Sequence, residues 1–348
     1  MIKKLLFLLV LLLTATTGAW AQDPTYSVKM ANVTDAEAAN WTIASGQSSV
    51  KGNEADGLTG LSEGAEVTVT YSGSKKVKSV KAVKKVDPKL ATPMTIEAIT
   101  AGSIKVEHPK ADMQYSLDGG ATKYAVTTDE IALNAGDKVQ FYGNGTSITC
   151  YGDPEMSKCT MINGIGDGFT CKVYGNIMSL VDEENFATAT TLSDKYTFKF
   201  LFYNNTKLTD ASGLLLPATQ LQESCYMQMF YGCTALTAAP ALPAETLAYG
   251  CYQQMFNGCT ALTAAPVLPA TKLVSYCYNL MFNNCSKLAT VTCLATSGFK
   301  QTECTSYWLN NAGSAVQDAK TVYTVSTANW PSDVTVIPTG WTRVYIDN

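Results

Sequence analysis

The chain predicts a mainly β fold with short helices, in which two small β modules lead into a repeat solenoid with degenerate caps. Three observations carry this. A 26-residue unit, CYxxMFx(G/N)CxxL, recurs three times without a gap, starting at Cys225, Cys251 and Cys277. Upstream, short runs of alternating apolar residues are separated by Gly-, Asp- and Ser-rich turns, the pattern of half-buried strands. Fading copies of the unit flank the three full ones. Self-similarity at a fixed period of about 20–50 residues marks an architecture in which each unit buries its apolar face only against its neighbours.

Residues 1–21 have the pattern of a secretory signal. Lys3 and Lys4 precede an unbroken apolar run from Leu5 to Leu13, and Ala19-Trp20-Ala21 supplies a small-x-small cleavage site. The run is too short to span a bilayer as a helix, and no Cys follows it to accept a lipid. The expected location is therefore secreted, periplasmic or at the cell surface, with no transmembrane segment in the mature chain.

Residues 22–88 predict the first β module. Val67, Val69 and Tyr71 alternate after the turn at Glu63-Gly64, and a Lys-rich stretch, KKVKSVKAVKKV, follows from Lys75 to Val86. Lysines on an edge strand oppose edge-to-edge aggregation, which is the reading favoured over a polyanion-binding patch. Asp87-Pro88 and Ala91-Thr92-Pro93 mark a linker.

Residues 92–172 predict a second, sandwich-like β module. Met113, Tyr115 and Leu117 alternate into the turn Asp118-Gly119-Gly120, Val139 and Phe141 alternate after Asp137, and Phe169, Cys171 and Val173 make a further strand. Gly164-Ile165-Gly166-Asp167-Gly168 lacks the strand–turn–helix context of a phosphate loop and reads as a turn. Cys150 and Cys159 flank a Gly-Asp-Pro turn and could close a small loop, a pairing left open at this point.

Residues 173–312 carry the repeats, and residues 313–348, with Val322, Tyr323, Val325, Trp341, Val344 and Ile346, predict a C-terminal β cap. The expected core columns are Cys225, Cys251 and Cys277; Tyr226, Tyr252 and Tyr278; Phe230, Phe256 and Phe282; Cys233, Cys259 and Cys285; and Leu236, Leu262 and Leu288. If the segment between paired Cys positions is roughly helical, eight residues separate their Cα atoms by about 12 Å, too far for a disulfide, so the thiols read as buried apolar groups. Leu201-Phe202-Tyr203-Asn204-Asn205 and Trp308-Leu309-Asn310-Asn311-Ala312 are the degenerate end copies. Phe256→Ala in the central copy is expected to destabilise more than Phe202→Ala in the end copy. Pro240 and Pro266 sit where a strand should run and lack the donor a ladder needs, which predicts short, interrupted strands.

The unit MFxGCxxLxxxPxLPxxxL resembles the BspA-like leucine-rich repeats of bacterial surface proteins. Met255-Phe256-Asn257-Gly258-Cys259-Thr260-Ala261-Leu262 falls on the first half of that motif and Leu268-Pro269 on the second. The resemblance implies a leucine-rich-repeat solenoid and adhesion to a host or envelope protein, with no catalytic residues. MQYSLDGGATKY, beginning at Met113, resembles the YSxDGG hairpin of immunoglobulin-like and chitobiase-C-terminal-type accessory modules. Such modules are usually spacers.

Composition narrows the function. Loss of the signal takes the net charge from -4 to -6, and Arg343 is the only arginine, which argues against a nucleic-acid partner. With His108 alone, His-based triads and metal sites are not expected, nor is a cofactor. Asp182-Glu183-Glu184 reads as solvated charge rather than a catalytic pair. No enzyme activity is expected. Positions that vary between matching copies are the candidate partner-binding surface: Glu223, Tyr249 and Ser275 in one column, Tyr231, Asn257 and Asn283 in a second, and Lys272 in a third. A protein partner is the first expectation and a glycan the alternative.

Overall fold

Alternating β-branched and polar residues give strands wherever the turns leave room, and the computed structural model is accordingly mainly β. It describes residues 9–16, 25–31, 41–45, 47–51, 58–61, 68–71, 80–85, 89–144, 156–326, 330 and 337–346. The chain forms two units, Met1–Pro88 and Lys89–Asn348. Helix is confined, among the described residues, to the 3-10 turns Met156–Lys158 and Ile177–Leu180. No helix among those residues is long and apolar enough to cross a membrane.

The first unit holds β1 (Leu9–Thr16), β2 (Thr25–Ala31), β3 (Trp41–Ser45), β4 (Ser48–Lys51), β5 (Leu58–Leu61), β6 (Thr68–Tyr71) and β7 (Val80–Lys85). One sheet has the order β5-β2-β1-β7 and the other β4-β3-β6. The Lys-rich β7 is thus an outer strand, paired in parallel with β1. The apolar run expected to be the leader supplies β1, so cleavage after Ala21 would remove the strand that β2 and β7 share.

The second unit opens with β8 (Thr95–Ala98), β9 (Gly102–Glu107), β10 (Gln114–Ser116), β11 (Tyr124–Ala125), β12 (Ile131–Leu133), β13 (Lys138–Tyr142), β14 (Met161–Ile165) and β15 (Cys171–Asn176). Then come β16 (Leu208–Leu215), β17 (Thr290–Cys293), β18 (Lys320–Val325) and β19 (Trp341–Ile346). The expected boundary at residue 172 is not a division. β15 straddles it, pairing antiparallel with β8 on one side and parallel with β16 on the other, within a sheet ordered β11-β10-β13-β8-β15-β16. One hydrophobic core runs from Met94 through the repeats to Trp341. The reason is steric and polar together: the first repeat would otherwise expose an unpaired edge, and β15 covers it.

The hairpin β10–β11 is held by its turn. Ser116 Oγ accepts from Gly120 N at 2.8 Å, and Asp118 accepts from Thr122 N at 2.8 Å. These bonds, Thr122's first and then that of the Ser116 hydroxyl, hold the Asp118 carboxyl down at about 2. Of the expected turn at 164–168, Gly164 and Ile165 end β14 and residues 166–168 turn the chain, with Gly166 and Gly168 at φ 116° and 75°. Asp182 caps a turn, accepting from the backbone N–H groups of Glu184 and Asn185, and Glu183 pairs with Lys123 at 3.1 Å. Cys159 is disulfide-bonded; Cys150 lies outside the described residues.

The repeats stack as successive rungs. Phe202, Phe230, Phe256 and Phe282 stack face to face with ring centroids 5.4–5.7 Å apart, and the column ends on Trp308, tilted by 55°. Phe198, Tyr226, Tyr252 and Tyr278 form a parallel column. Every expected core residue is at most 1% exposed. Phe202 is as fully buried as Phe256, so the first copy is not an open end. Regular strands form where the column of Pro240 and Pro266 holds another residue, Leu214 in β16 at one end and Thr292 in β17 at the other. In the two middle rungs, Pro240 and Pro266 reduce the ladder to single bridged pairs such as Asp210–Ala238 and Ala264–Thr290. β17, β18 and β19 continue the stack as a parallel sheet, and Trp341 Nε1 donates to Ala312 O at 3.3 Å.

Candidate functional site

The segment between the two Cys columns is not helical. It is a ladder of tight turns, which corrects the helical estimate of the Cys separation. Along Ser224–Cys233, each odd-numbered N–H closes a turn onto the carbonyl three residues back: Cys225 to Gln222, Met227 to Ser224, Met229 to Tyr226, Tyr231 to Gln228 and Cys233 to Phe230, at 3.2–3.3 Å. Each even-numbered N–H reaches the next rung instead: Ser224 to Tyr249, Tyr226 to Cys251, Gln228 to Gln253, Phe230 to Met255 and Gly232 to Asn257, at 2.8–3.0 Å. Every backbone donor from Ser224 to Cys233 is thereby satisfied, half locally and half between rungs.

The turns impose a period of four. Ser224, Gln228 and Gly232 all have positive φ (52°, 56° and 70°), as do Gly250, Gln254 and Gly258, then Tyr276, Leu280 and Asn284, then Glu303, Tyr307 and Asn311. Side chains follow as two in, two out: Cys225-Tyr226 buried, Met227-Gln228 outward, Met229-Phe230 buried, Tyr231-Gly232 outward, Cys233 buried. Cys-to-Cys spacing of eight is two such periods. The Gly/Asn position of the motif is the third positive-φ site, where Gly avoids the left-handed cost of about 1–2 kcal/mol and Asn lowers it.

The described thiols other than Cys159 are free and buried. Cys233, Cys259 and Cys285 donate through Sγ to the carbonyls of Phe202, Phe230 and Phe256 one rung back, at 3.0–3.1 Å. Burial pushes the Cys225 and Cys285 thiols up to about 12, which keeps them protonated and unreactive. Asn205 takes the Cys position in the first rung, and its longer amide reaches Ile162 O of β14 at 3.0 Å.

The outward pairs of five rungs make one face. Six of the seven sequence-predicted contact residues lie on it. Glu223, Tyr249 and Ser275 open the first outward pair of their rungs, and Tyr231, Asn257 and Asn283 the third. Asn257 is buried between neighbours, its carbonyl accepting from Asn283 at 3.2 Å. Lys272 lies apart and exposed, before the turn ladder begins, bridged to Ser297. Sequence reasoning missed the middle pair and the second member of each pair: Gln228, Gln253, Gln254, Tyr276, Asn279 and Glu303. The two-in, two-out rhythm of CYxxMFxG was the available signal for them.

Side chains bridge rungs across this face. Gln228 donates to Gln254, Gln253 to Asn279, Asn279 to Glu303, and Asn310 to Asn283, at 2.9–3.3 Å. Tyr203 and Tyr231 stack at 4.9 Å, and Tyr249 and Tyr276 lie 5.3 Å apart at 48°. Lys195 pairs with Glu223, which also accepts from Tyr196 OH at 3.3 Å. Among the described residues no group of His, Cys, Asp and Glu could hold a metal ion. No protein-family model, curated protein or solved structure matches the chain.

Proposed function

We propose that the chain is an exported, non-enzymatic binding protein whose stacked repeats form a BspA-like leucine-rich-repeat solenoid. The turn-ladder face contacts a protein of the host or cell envelope, as an adhesin does. The single observation that carries this reading is the make-up of that face: tyrosines, amides, serines and glycines set on a backbone bonded both within and between rungs. Tyr gives large, amphipathic contact area at low entropic cost, and Asn, Ser and Gly adapt to hydrogen-bond partners, the same kit that antibody paratopes use. Inter-rung amide bonds pre-order the side chains, which reduces what a partner loses on binding. Residues 190–312 hold five acids and six lysines, a charge-poor span suited to contact rather than electrostatic capture.

A carbohydrate ligand is the second reading. The Tyr203–Tyr231 stack and the Tyr249–Tyr276 pair, both bordered by amides, offer ring faces and planar hydrogen-bonding groups to a sugar. The test sets purified matrix proteins beside a glycan array, with the wild-type chain and Tyr231→Ser/Tyr249→Ser at matched circular dichroism. Saturable binding to a matrix protein that the double variant loses is the expected result. Signal on glycans alone defeats the protein reading, and unchanged binding by the double variant defeats the assignment of the face. Protease shaving of intact cells, with the repeats cleaved from outside, is the expected result for surface location.

A further inference from the structure

Resting on the proposed recognition face, we infer that Tyr249, Tyr276 and Glu303 form a receptor for one basic side chain of the partner protein, an arginine. The two tyrosines are neighbours from successive rungs, their centroids 5.3 Å apart and their planes inclined at 48°. Tyr249 is 50% exposed. Glu303, one rung further on, is exposed and close enough to Tyr276 that its charge is the main reason the phenol titrates above its usual range.

The Glu303 carboxylate is held in place. Gln253 Nε2 donates to Asn279 Oδ1 at 3.0 Å, and Asn279 Nδ2 donates to Glu303 Oε2 at 3.0 Å. Asn279 is only 3% exposed and also donates to Ser306 O at 3.3 Å, so the relay is anchored in the stack rather than waving in solvent. One oxygen of Glu303 is thus committed, and among the described residues the other accepts no hydrogen bond. Among the described residues Glu303 forms no ion pair.

The same face contains an internal precedent three rungs away. There the Lys195 ammonium sits on Glu223, and the same carboxylate accepts from the Tyr196 hydroxyl. Phenol beside carboxylate is repeated at Tyr276–Glu303, without the lysine. The missing component is a cation, and the complementarity is to a positive side chain. Arginine fits better than lysine, because its guanidinium is weakly hydrated, stacks on aromatic faces and still donates laterally to a carboxylate.

The test uses the full chain and two labelled peptides of equal length, a glycine–arginine repeat and its citrulline twin, titrated by fluorescence anisotropy at low and at physiological salt. The arginine peptide is expected to bind more tightly, with the advantage shrinking as salt rises. Glu303→Gln keeps the shape and the bond from Asn279, and Tyr249→Leu keeps an apolar surface. Each is expected to cut the arginine preference about 2- to 5-fold, the range for an exposed cation on a tyrosine. Equal affinity for the two peptides, or a preference that survives both variants, overturns the receptor. If the preference is absent while Tyr231→Ser/Tyr249→Ser still abolishes partner binding, the receptor falls and the face stands. If the double variant keeps its partner, the face itself falls.

Discussion

Removing the ring of Phe256 tests the stack where it is most exacting. The side chain is fully buried, held between Phe230 at 5.5 Å and Phe282 at 5.7 Å with planes within 4° and 1° of parallel. A buried Phe cut to Ala costs about 3–5 kcal/mol, and an aromatic pair adds about 0.5–1.5 kcal/mol beyond the buried area. With two ring partners, Phe256→Ala belongs at the upper end. Phe202 is equally buried but stacks on Phe230 alone, its other side covered by the core it shares with β15, so Phe202→Ala is expected to cost about 0.5–1.5 kcal/mol less. Both are large against a total stability of about 5–15 kcal/mol. Urea titration followed by tryptophan fluorescence reads the effect, because Trp308 and Trp330 stack at the end of the phenylalanine column. The midpoint is expected to fall with little change in slope. The Phe230→Ala/Phe256→Ala pair is expected to be non-additive, since the two rings touch. A shift below about 1 kcal/mol for Phe256→Ala, or strict additivity of the pair, refutes the stacked-column reasoning.

Gly298→Ala is expected to be far more destabilising than Gly258→Ala: both have positive φ, but a Cβ at Gly298 would sit 2.2 Å from Leu273 O, whereas at Gly258 the nearest atom is 3.6 Å away. Similar melting temperatures for the two would contradict the backbone packing. The nine free thiols among the described residues, all buried, are expected to resist iodoacetamide in the native chain and to react after denaturation, as counted by intact mass; rapid native labelling of Cys259 would show that the rungs open. Asp118, whose folded carboxyl lies at about 2 against an ordinary 3.8, favours the folded hairpin fully above pH 3.8 and loses that contribution as pH falls toward 2. Asp118→Asn is therefore expected to flatten the acid limb of hairpin order measured by hydrogen exchange, and an unchanged acid limb would count against the turn's bonding.

Much of the second unit was legible in the chain because apolar periodicity is local. Cys225, Tyr226, Phe230, Cys233 and Leu236 identify their inward columns by recurrence alone, and all are buried. Pro240 and Pro266 foretold the interrupted ladder, since a missing N–H is a property of the residue itself. The Gly/Asn column at Gly232, Gly258 and Asn284 marks a left-handed backbone for the same reason. Of the other two left-handed columns, the one with Tyr276 and Glu303 carries that mark only at Gly250 and the one with Gln254 and Leu280 carries none, because nothing in the remaining side chains prefers positive φ.

What stacking alone decided is where the remaining bonds go. The N–H of Tyr226 finds its carbonyl on Cys251, in the next rung, and Asn279 reaches Glu303 across another. Those partners lie a full repeat away in sequence and become neighbours only when one rung lies against the next. The same holds for the merger at residue 172, where β15 completes the sheet edge that the first repeat would otherwise leave open. The amino-acid sequence by itself therefore determined which side chains turn inward and how often. The tertiary structure determined the turn ladder, the outward face and the held carboxylate upon it, because hydrogen bonds between rungs depend on partners that no local stretch of chain contains.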